Sequence, residues 1–418
     1  MNRLNPVTLA FVIGTAVLTQ AGCAYNPKTG SDAAGMSNAR LARIAPAMTQ
    51  QINSGIFPGA VTLVARDSKV VHLEAHGYQD AAKTKPMKTD AIFRLASMTK
   101  PIVTAAGMML VEQGTIKLND PIATWLPELK DMKVETSGGD VALARPVTVQ
   151  DLMRHTAGFV YGGSTKSPRI KQAYLDGNIE SLETDITGDD MLKRLGQTPL
   201  AHQPGTFWEY SISVDVLGLL LERVTRKPLD QLLAEMLFDP LGMKDTAFWV
   251  PPAKVHRLAD TLDSDSQKAT MSKAYRLLEN PSSKTYLKGG AGLVGTADDY
   301  LKFAQMIANG GEYQGKRYLS KKTVEFMLSD HTHGMGGTTI ASTGPGYGFG
   351  LGFAVRQHDG FAWVPGSKGD AMWAGAWGTS FWIDPKERLV GVLMAQSPSH
   401  RVQTRMLYKN LVYGAIVE

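Results

Sequence analysis

The sequence predicts an α+β protein, with an antiparallel sheet assembled from both ends of the chain, flanked by helices, and a mainly helical segment inserted between the two halves. Three observations carry this. A strand–turn–strand pattern, Ala60–Ala65, Asp67-Ser68 and Val70–Ala75, stands near the start. Further strand patterns, Tyr347–Val355, Ser380–Ile383 and Leu389–Ala395, come only after residue 345. Between them, Ile102–Gln113, Val214–Thr225 and Leu229–Leu237 carry helical patterns separated by long loops rich in Pro and Gly.

The elements follow in order. Arg3, an apolar run from Pro6 to Leu18 and small residues up to Cys23 describe a secretory leader. The run is too short to span a bilayer, which takes about 20 apolar residues. Ala21-Gly22-Cys23 is similar to the end of a lipoprotein signal, although Gln20 stands where Leu is wanted; cleavage after Ala24 is the alternative. Either way the mature chain is expected to be exported: periplasmic, anchored to the membrane through Cys23, or secreted. Residues 38–53 read as a helix closed by Gly55. Ile102–Gln113 is apolar on nearly every side, which marks a buried helix, and Gly114 ends it. A turn at Asp384-Pro385 joins the last two strands, and a final helix covers Val402–Val417. The division expected is a leader at 1–23, a sheet unit made of 25–97 and 290–418, and a helical unit, 98–289, with the functional site at their interface.

Composition excludes several classes. The 418 residues are 43% hydrophobic and 20% charged, which rules out disorder and coiled coil. One cysteine rules out a disulfide framework and a cysteine zinc cluster. Lys and Arg number 44 against 39 Asp and Glu, and the densest basic stretches, Lys83–Lys88 and Lys316–Lys322, read as solvated faces. Nucleic acid is therefore not an expected partner.

The chemical signal is Ser97-Met98-Thr99-Lys100, the only Ser-x-x-Lys in the chain. At the head of a helix this spacing puts hydroxyl and amine on one face, within the positive field of the helix N-terminus. A serine hydroxyl needs an adjacent base, and a buried lysine that gives up its charge can serve. Alone the motif recurs by chance on surfaces, but here both flanks are apolar. Tyr210, in Glu209-Tyr210-Ser211-Ile212-Ser213, offers a phenol able to shuttle the serine proton; its plainer reading is a core aromatic. Trp373-Ala374-Gly375-Ala376 offers small residues where backbone N–H groups can approach a substrate oxygen. Paired with the Ser97 N–H, that of Ala376 could form an oxyanion hole; without partners, the stretch is a glycine turn beside a packed Trp.

With these residues the chain resembles the serine β-lactamase and penicillin-binding-protein superfamily, and within it the family VIII carboxylesterases, which look like class C β-lactamases. The resemblance runs over residues 38–418. It includes Phe93–Lys100, Gly114–Pro121, Val147–Leu152 leading to His155-Thr156-Ala157-Gly158, Gln203-Pro204-Gly205, Asp239–Met243 and Gly290–Leu293. It implies a β-lactamase-like fold, Ser97 as the acylated nucleophile and Lys100 with Tyr210 as its base system. No metal or organic cofactor is implied.

Two departures bear on substrate. Trp373 stands where lactamases have the Lys of Lys-Thr-Gly, and Ile212 where they have an Asn. Each polar contact so lost is worth about 1–3 kcal/mol. Apolar groups at Ile212, Trp373, Ala374 and Gly375 suit neutral esters better than anionic lactams, so hydrolysis of small carboxylic esters with short acyl chains is expected. A β-lactamase or D-alanyl peptidase, which would need a cation such as Lys368, an acyltransferase, and a non-enzymatic binding protein are the alternatives. Acyl-chain choice is assigned to loops around 160–200 and 255–290.

Other patterns read as structure. Gly290–Gly295 fits Gly-x-Gly-x-x-Gly, but polar residues precede it and a helix capped by Thr296, with Asp299 completing a capping box, follows it, so it reads as a turn lining the cleft. His72 with His76, and His331 with His333, lack a carboxylate-rich partner cluster and read as core or solvated histidines, and His155 as a loop holder. No Gly-x-Ser-x-Gly occurs, so the α/β-hydrolase elbow is absent.

Overall fold

Asp67 and Ser68 both take positive φ, 53° and 59°, as a type I′ turn requires. They join strand β1 (Gly59–Arg66) to β2 (Lys69–Gly77). The computed structural model in which they are seen describes residues 33–180, 186–268 and 286–418. The leader with Cys23 lies outside the described residues, as do 181–185 and 269–285 within the two loops assigned to acyl-chain choice.

Five strands from the end of the chain complete the sheet: β3 (Tyr347–Phe349), β4 (Ala354–Arg356), β5 (Ala371–Ala374), β6 (Ser380–Asp384) and β7 (Leu389–Ala395). The order is β3-β4-β5-β6-β7-β1-β2, antiparallel throughout. The two ends of the chain meet where β1 pairs with β7, Ala60 opposite Ala395 and Thr62 opposite Leu393. Among the described residues, 98–289 adds no strand to this sheet.

Both faces of the sheet are covered, and β1 shows it by its period of two. Val61 and Leu63 belong to the main core with Tyr300 and Phe303 of helix α4 (Ala297–Ala308), while Ala60 and Val64 pack in a second cluster. That cluster holds Ile44, Met48 and Ile52 of α1 (Ile44–Asn53) and Tyr408 and Val412 of α5 (Arg401–Tyr413). Helix α2 (Thr99–Glu112) and α3 (Ser213–Thr225) fill the main core beyond α4. The fold is α+β, a large antiparallel sheet with flanking helices.

Three local expectations need correction. The helix read at 38–53 breaks after Leu41 and restarts at Ile44. Pro46 has no N–H to give to the Ala42 carbonyl, so it is accommodated only in a new first turn. Tyr347–Val355 is not one strand but a hairpin, because Gly350 donates to the Phe353 carbonyl at 2.8 Å and Gly352 turns the chain at φ 83°. A Cβ on Gly352 would lie 2.8 Å from the Thr104 side chain. At α4, Thr296 caps Asp299 N–H as read, but the Asp299 carboxylate accepts instead from Asp245 N–H and the Thr246 hydroxyl.

His72, Glu74 and His76 alternate along one face of β2, with one ligand-type atom of each within 4.8 Å of the others. The Thr62 hydroxyl engages Nε2 of both imidazoles, at 2.7 and 2.8 Å, so one ring donates to it and the other accepts. Burial lowers His72 from 6.5 to about 3 and His76 to about 4. Both are thus neutral in the fold at pH 7, while the unfolded chain protonates them near 6.5. The unfolded state binds more protons below that value, so stability is full above it and is lost as pH falls towards 4. Melting scans should show this loss, and His72→Leu should flatten the curve between those pH values; an unchanged slope in the variant would contradict the assignment.

Candidate active site

Phe93 and Arg94 pair with Val294 and Gly295 in a two-residue ladder that delivers the chain to a 3₁₀ turn, Ala96–Met98, ahead of α2. Ala96 sits at φ 47°, a left-handed conformation that a non-glycine residue holds only under constraint. Thr99 fixes the turn, its hydroxyl donating to Ala96 O at 2.7 Å and accepting from Leu293 N–H at 3.1 Å. α2 therefore begins at Thr99, three residues earlier than its apolar pattern suggests, and Pro101 falls in its first turn. Ser97 and Lys100 stand one turn apart.

Lys100 is buried, 1% exposed. Its Nζ lies 2.7 Å from Gly290 O, 3.0 Å from the Tyr161 hydroxyl and 3.4 Å from Ser97 Oγ. Among the described residues no carboxylate pairs with it. The carbonyl it grips is itself anchored, since Gly290 N–H donates to Asp215 Oδ1 at 3.0 Å. The approach is tight: a Cβ at position 290 would lie 2.2 Å from Asp215 Oδ2. Gly290–Gly295 is thus a turn and ladder serving this amine, and α4 starts only after it.

Tyr210 is placed differently from its expected role. Lys100 Nζ stands 4.6 Å from the centroid of its ring, and its hydroxyl, buried, has no hydrogen-bond partner among the described residues. The phenol that binds the amine is that of Tyr161, which sequence reasoning missed. Tyr161 lies three residues beyond the His155–Gly158 segment, in Phe159-Val160-Tyr161, an apolar run that reads as core. The Tyr210 ring is held by His155, Tyr161 and Trp373 at centroid distances of 5.0, 5.2 and 5.2 Å. His155 is neutral, its pKa pushed well below the ordinary value chiefly by burial, and its Nδ1 meets Ser211 Oγ at 3.2 Å.

Gly375, just after β5, locks that strand beside the turn that carries Ser97. Its N–H donates to Thr379 O at 2.8 Å, and the Thr379 hydroxyl donates to Leu95 O at 3.1 Å. A Cβ on Gly375 would meet Leu95 O and Thr379 Oγ1, each at 2.3 Å. A cavity of about 260 Å³ results, with Ser97, Tyr210, Trp373, Ala374, Gly375 and Ala376 in its wall. Ile212 is not in that wall; it precedes α3 and packs in the main core. Lys368 is exposed and outside the wall as well, whereas Arg401 and Arg405 of α5 are in it.

The model of the beta-lactamase family matches residues 43–413. Esterase EstB of Burkholderia gladioli is 32% identical over 364 residues, covering 82% of this chain and 87% of that protein. An uncharacterized protein of Mycobacterium tuberculosis is 34% identical over 360 residues, with the same shares covered, 82% and 87%. Among solved structures, EstCE1, a hydrolase with promiscuous acyltransferase activity, superposes with a TM-score of 0.76 at 28% identity, over 91% of this chain and 99% of that one. The chain belongs to the beta-lactamase family. Within that superfamily it falls among the family VIII esterases, the serine carboxylesterases built on the β-lactamase fold.

The glycine at 290 gives a direct check on the amine's seating. Gly290→Ala should lower kcat by about a hundredfold, the scale of a 1 Å misplacement in an active site. Gly360→Ala, where a Cβ meets nothing within 4 Å, should change neither kcat nor melting temperature. Equal kcat for both variants would refute the positioning role of the Gly290 carbonyl.

Proposed function

We propose that the protein hydrolyses small carboxylic esters through an acyl-enzyme on Ser97. The arrangement around Lys100 carries this reading. In its neutral form the amine has two N–H bonds to give, to Gly290 O and the Tyr161 hydroxyl, and its lone pair then faces Ser97 Oγ at 3.4 Å. Lys100 takes the Ser97 proton as Oγ attacks the ester carbonyl. The N–H groups of Ser97 and Ala376 stabilise the oxyanion, each donor worth about 3–4 kcal/mol. The carbon–oxygen bond to the alcohol breaks, and the alkoxide leaves with the proton returned from the Lys100 amine, which the Tyr161 hydroxyl and the Gly290 carbonyl keep in place. Water then attacks the acyl-enzyme along the reverse path, freeing the acid and Ser97. The relation to EstB supports an ester as substrate, and the size of the cavity at Ser97, about 260 Å³, supports short acyl chains.

Trp373 favours ester over lactam, because it puts an indole where a lactamase supplies an ammonium to the substrate carboxylate. A second reading, acyl transfer to an alcohol or amine, is favoured by the likeness to EstCE1. The leader at 1–23 supports export, with Cys23 as an acylation site; loss of fatty-acid labelling in Cys23→Ser would report it.

Ser97→Ala should abolish turnover, and a fluorophosphonate should label Ser97 in the wild type; a label on any other residue would sink the mechanism. p-Nitrophenyl butyrate should turn over faster than nitrocefin. A faster nitrocefin reaction would move the assignment to a β-lactamase.

A further inference from the structure

A second cavity, of about 320 Å³, adjoins the one at Ser97. Ala341, Ser342, Met372, Val402 and Arg405 stand in the walls of both. Beyond that shared wall the lining turns apolar, with Trp363, Val364, Phe381 and Trp382. The two cavities are thus neighbours with part of one wall in common, and the second is lined mainly by apolar groups.

One face of α5 runs along both cavities. Arg401, Arg405 and Lys409, spaced four apart, lie on one side of the helix. Arg401 is in the wall of the first cavity, Lys409 in that of the second and Arg405 in both. Their charges are not equally matched. Lys409 donates to Asp370 Oδ2 at 3.0 Å and to the Tyr347 hydroxyl at 3.2 Å, and Arg356 holds the same carboxylate at 2.8 Å. That one acid already serves two cations. Arg401 donates to Pro398 O. Arg405 has no hydrogen bond and no ion pair among the described residues. Its pKa is lowered by burial and by the charge of Arg401, against a smaller opposing effect of Tyr347. The guanidinium is half-buried, and its planar fork fits a carboxylate in two parallel bonds.

We propose that Arg405 anchors a carboxylate on the substrate, so that the preferred substrates are esters whose apolar limb carries an acid group and enters the second cavity. This rests on the ester-hydrolysis reading above and names its substrate class. The cation is supplied from the helix, where Trp373 has removed the one that lactamases carry on the strand. Inside apolar walls such a pair is screened less than in water.

The test compares mono-p-nitrophenyl adipate and suberate with p-nitrophenyl hexanoate and octanoate, matched in chain length and corrected for uncatalysed hydrolysis. In the wild type, kcat/KM should favour the acid-tipped ester at one or both lengths by about tenfold, the scale of a charge-assisted bond, and added salt should reduce the ratio. Arg405→Met should bring the ratio to one or below, and Arg405→Lys should restore part of it. A wild-type ratio of one or less at both lengths, or a ratio unchanged in Arg405→Met, overturns the proposal while leaving ester hydrolysis intact. Should all four esters be inert, the hydrolysis reading fails by itself. Calorimetry with adipate then decides the anion site: binding lost in Arg405→Met upholds it, and no binding to the wild type overturns it.

Discussion

The amine of Lys100 is seated by parts of the chain far apart in sequence: α2 carries it, the Gly290 carbonyl and the Tyr161 phenol receive it, and Ser97 faces it. Neither acceptor brings a full negative charge. What allows carbonyl and phenol to suffice is close backbone approach at two glycines. Gly290 lets Asp215 hold the loop from behind, and Gly375 brings β5 against Leu95, so that Ser97, Lys100 and the strand edge keep one geometry.

That seating explains which parts of the site the sequence discloses. Ser97 and Lys100 are one helical turn apart, and local spacing suffices to pair them. The stretch Trp373–Ala376 is legible because only glycine tolerates the contact at 375. Tyr161 and Tyr210 are harder to tell apart, since both are aromatic residues in apolar surroundings and either phenol could meet the amine. The answer depends on how α3 and the loop after His155 pack, which no local pattern encodes. Ile212 follows the same rule, turned into the core by the start of α3. For the fold, the Asp67-Ser68 hairpin and the Thr296 cap are legible because turn and cap chemistry are local. The breaks at Pro46 and Gly350–Phe353 are legible only if proline and glycine outweigh the apolar pattern around them.

The cavity walls among the described residues come from Ser97, Tyr210, 341–345, Tyr347, 362–364, β5 with Gly375 and Ala376, β6 and α5. Lys368, the cation that the lactamase and peptidase alternatives would need, is exposed and outside the wall, and the cations in the wall are Arg401 and Arg405. An arginine in a polar helix reads as a solvated charge. Its meaning depends on having no acid opposite it, a property of the packed molecule.

Helix α5 joins stability to substrate recognition. Thr404, Tyr408 and Val412 form its buried stripe, with the Tyr408 hydroxyl donating to Leu63 O of β1 at 2.8 Å. Arg401, Arg405 and Lys409 form the next stripe, one residue further on each time and so about 100° around the axis. The core contacts that fix the first stripe thereby fix the second against the cavities. Asp370, taken by Arg356 and Lys409, cannot swing to neutralise Arg405 without abandoning two buried cations. The position of Arg405 in the wall common to the two cavities is thus set by the packing of α5 on the sheet, and a substrate acid would complete it.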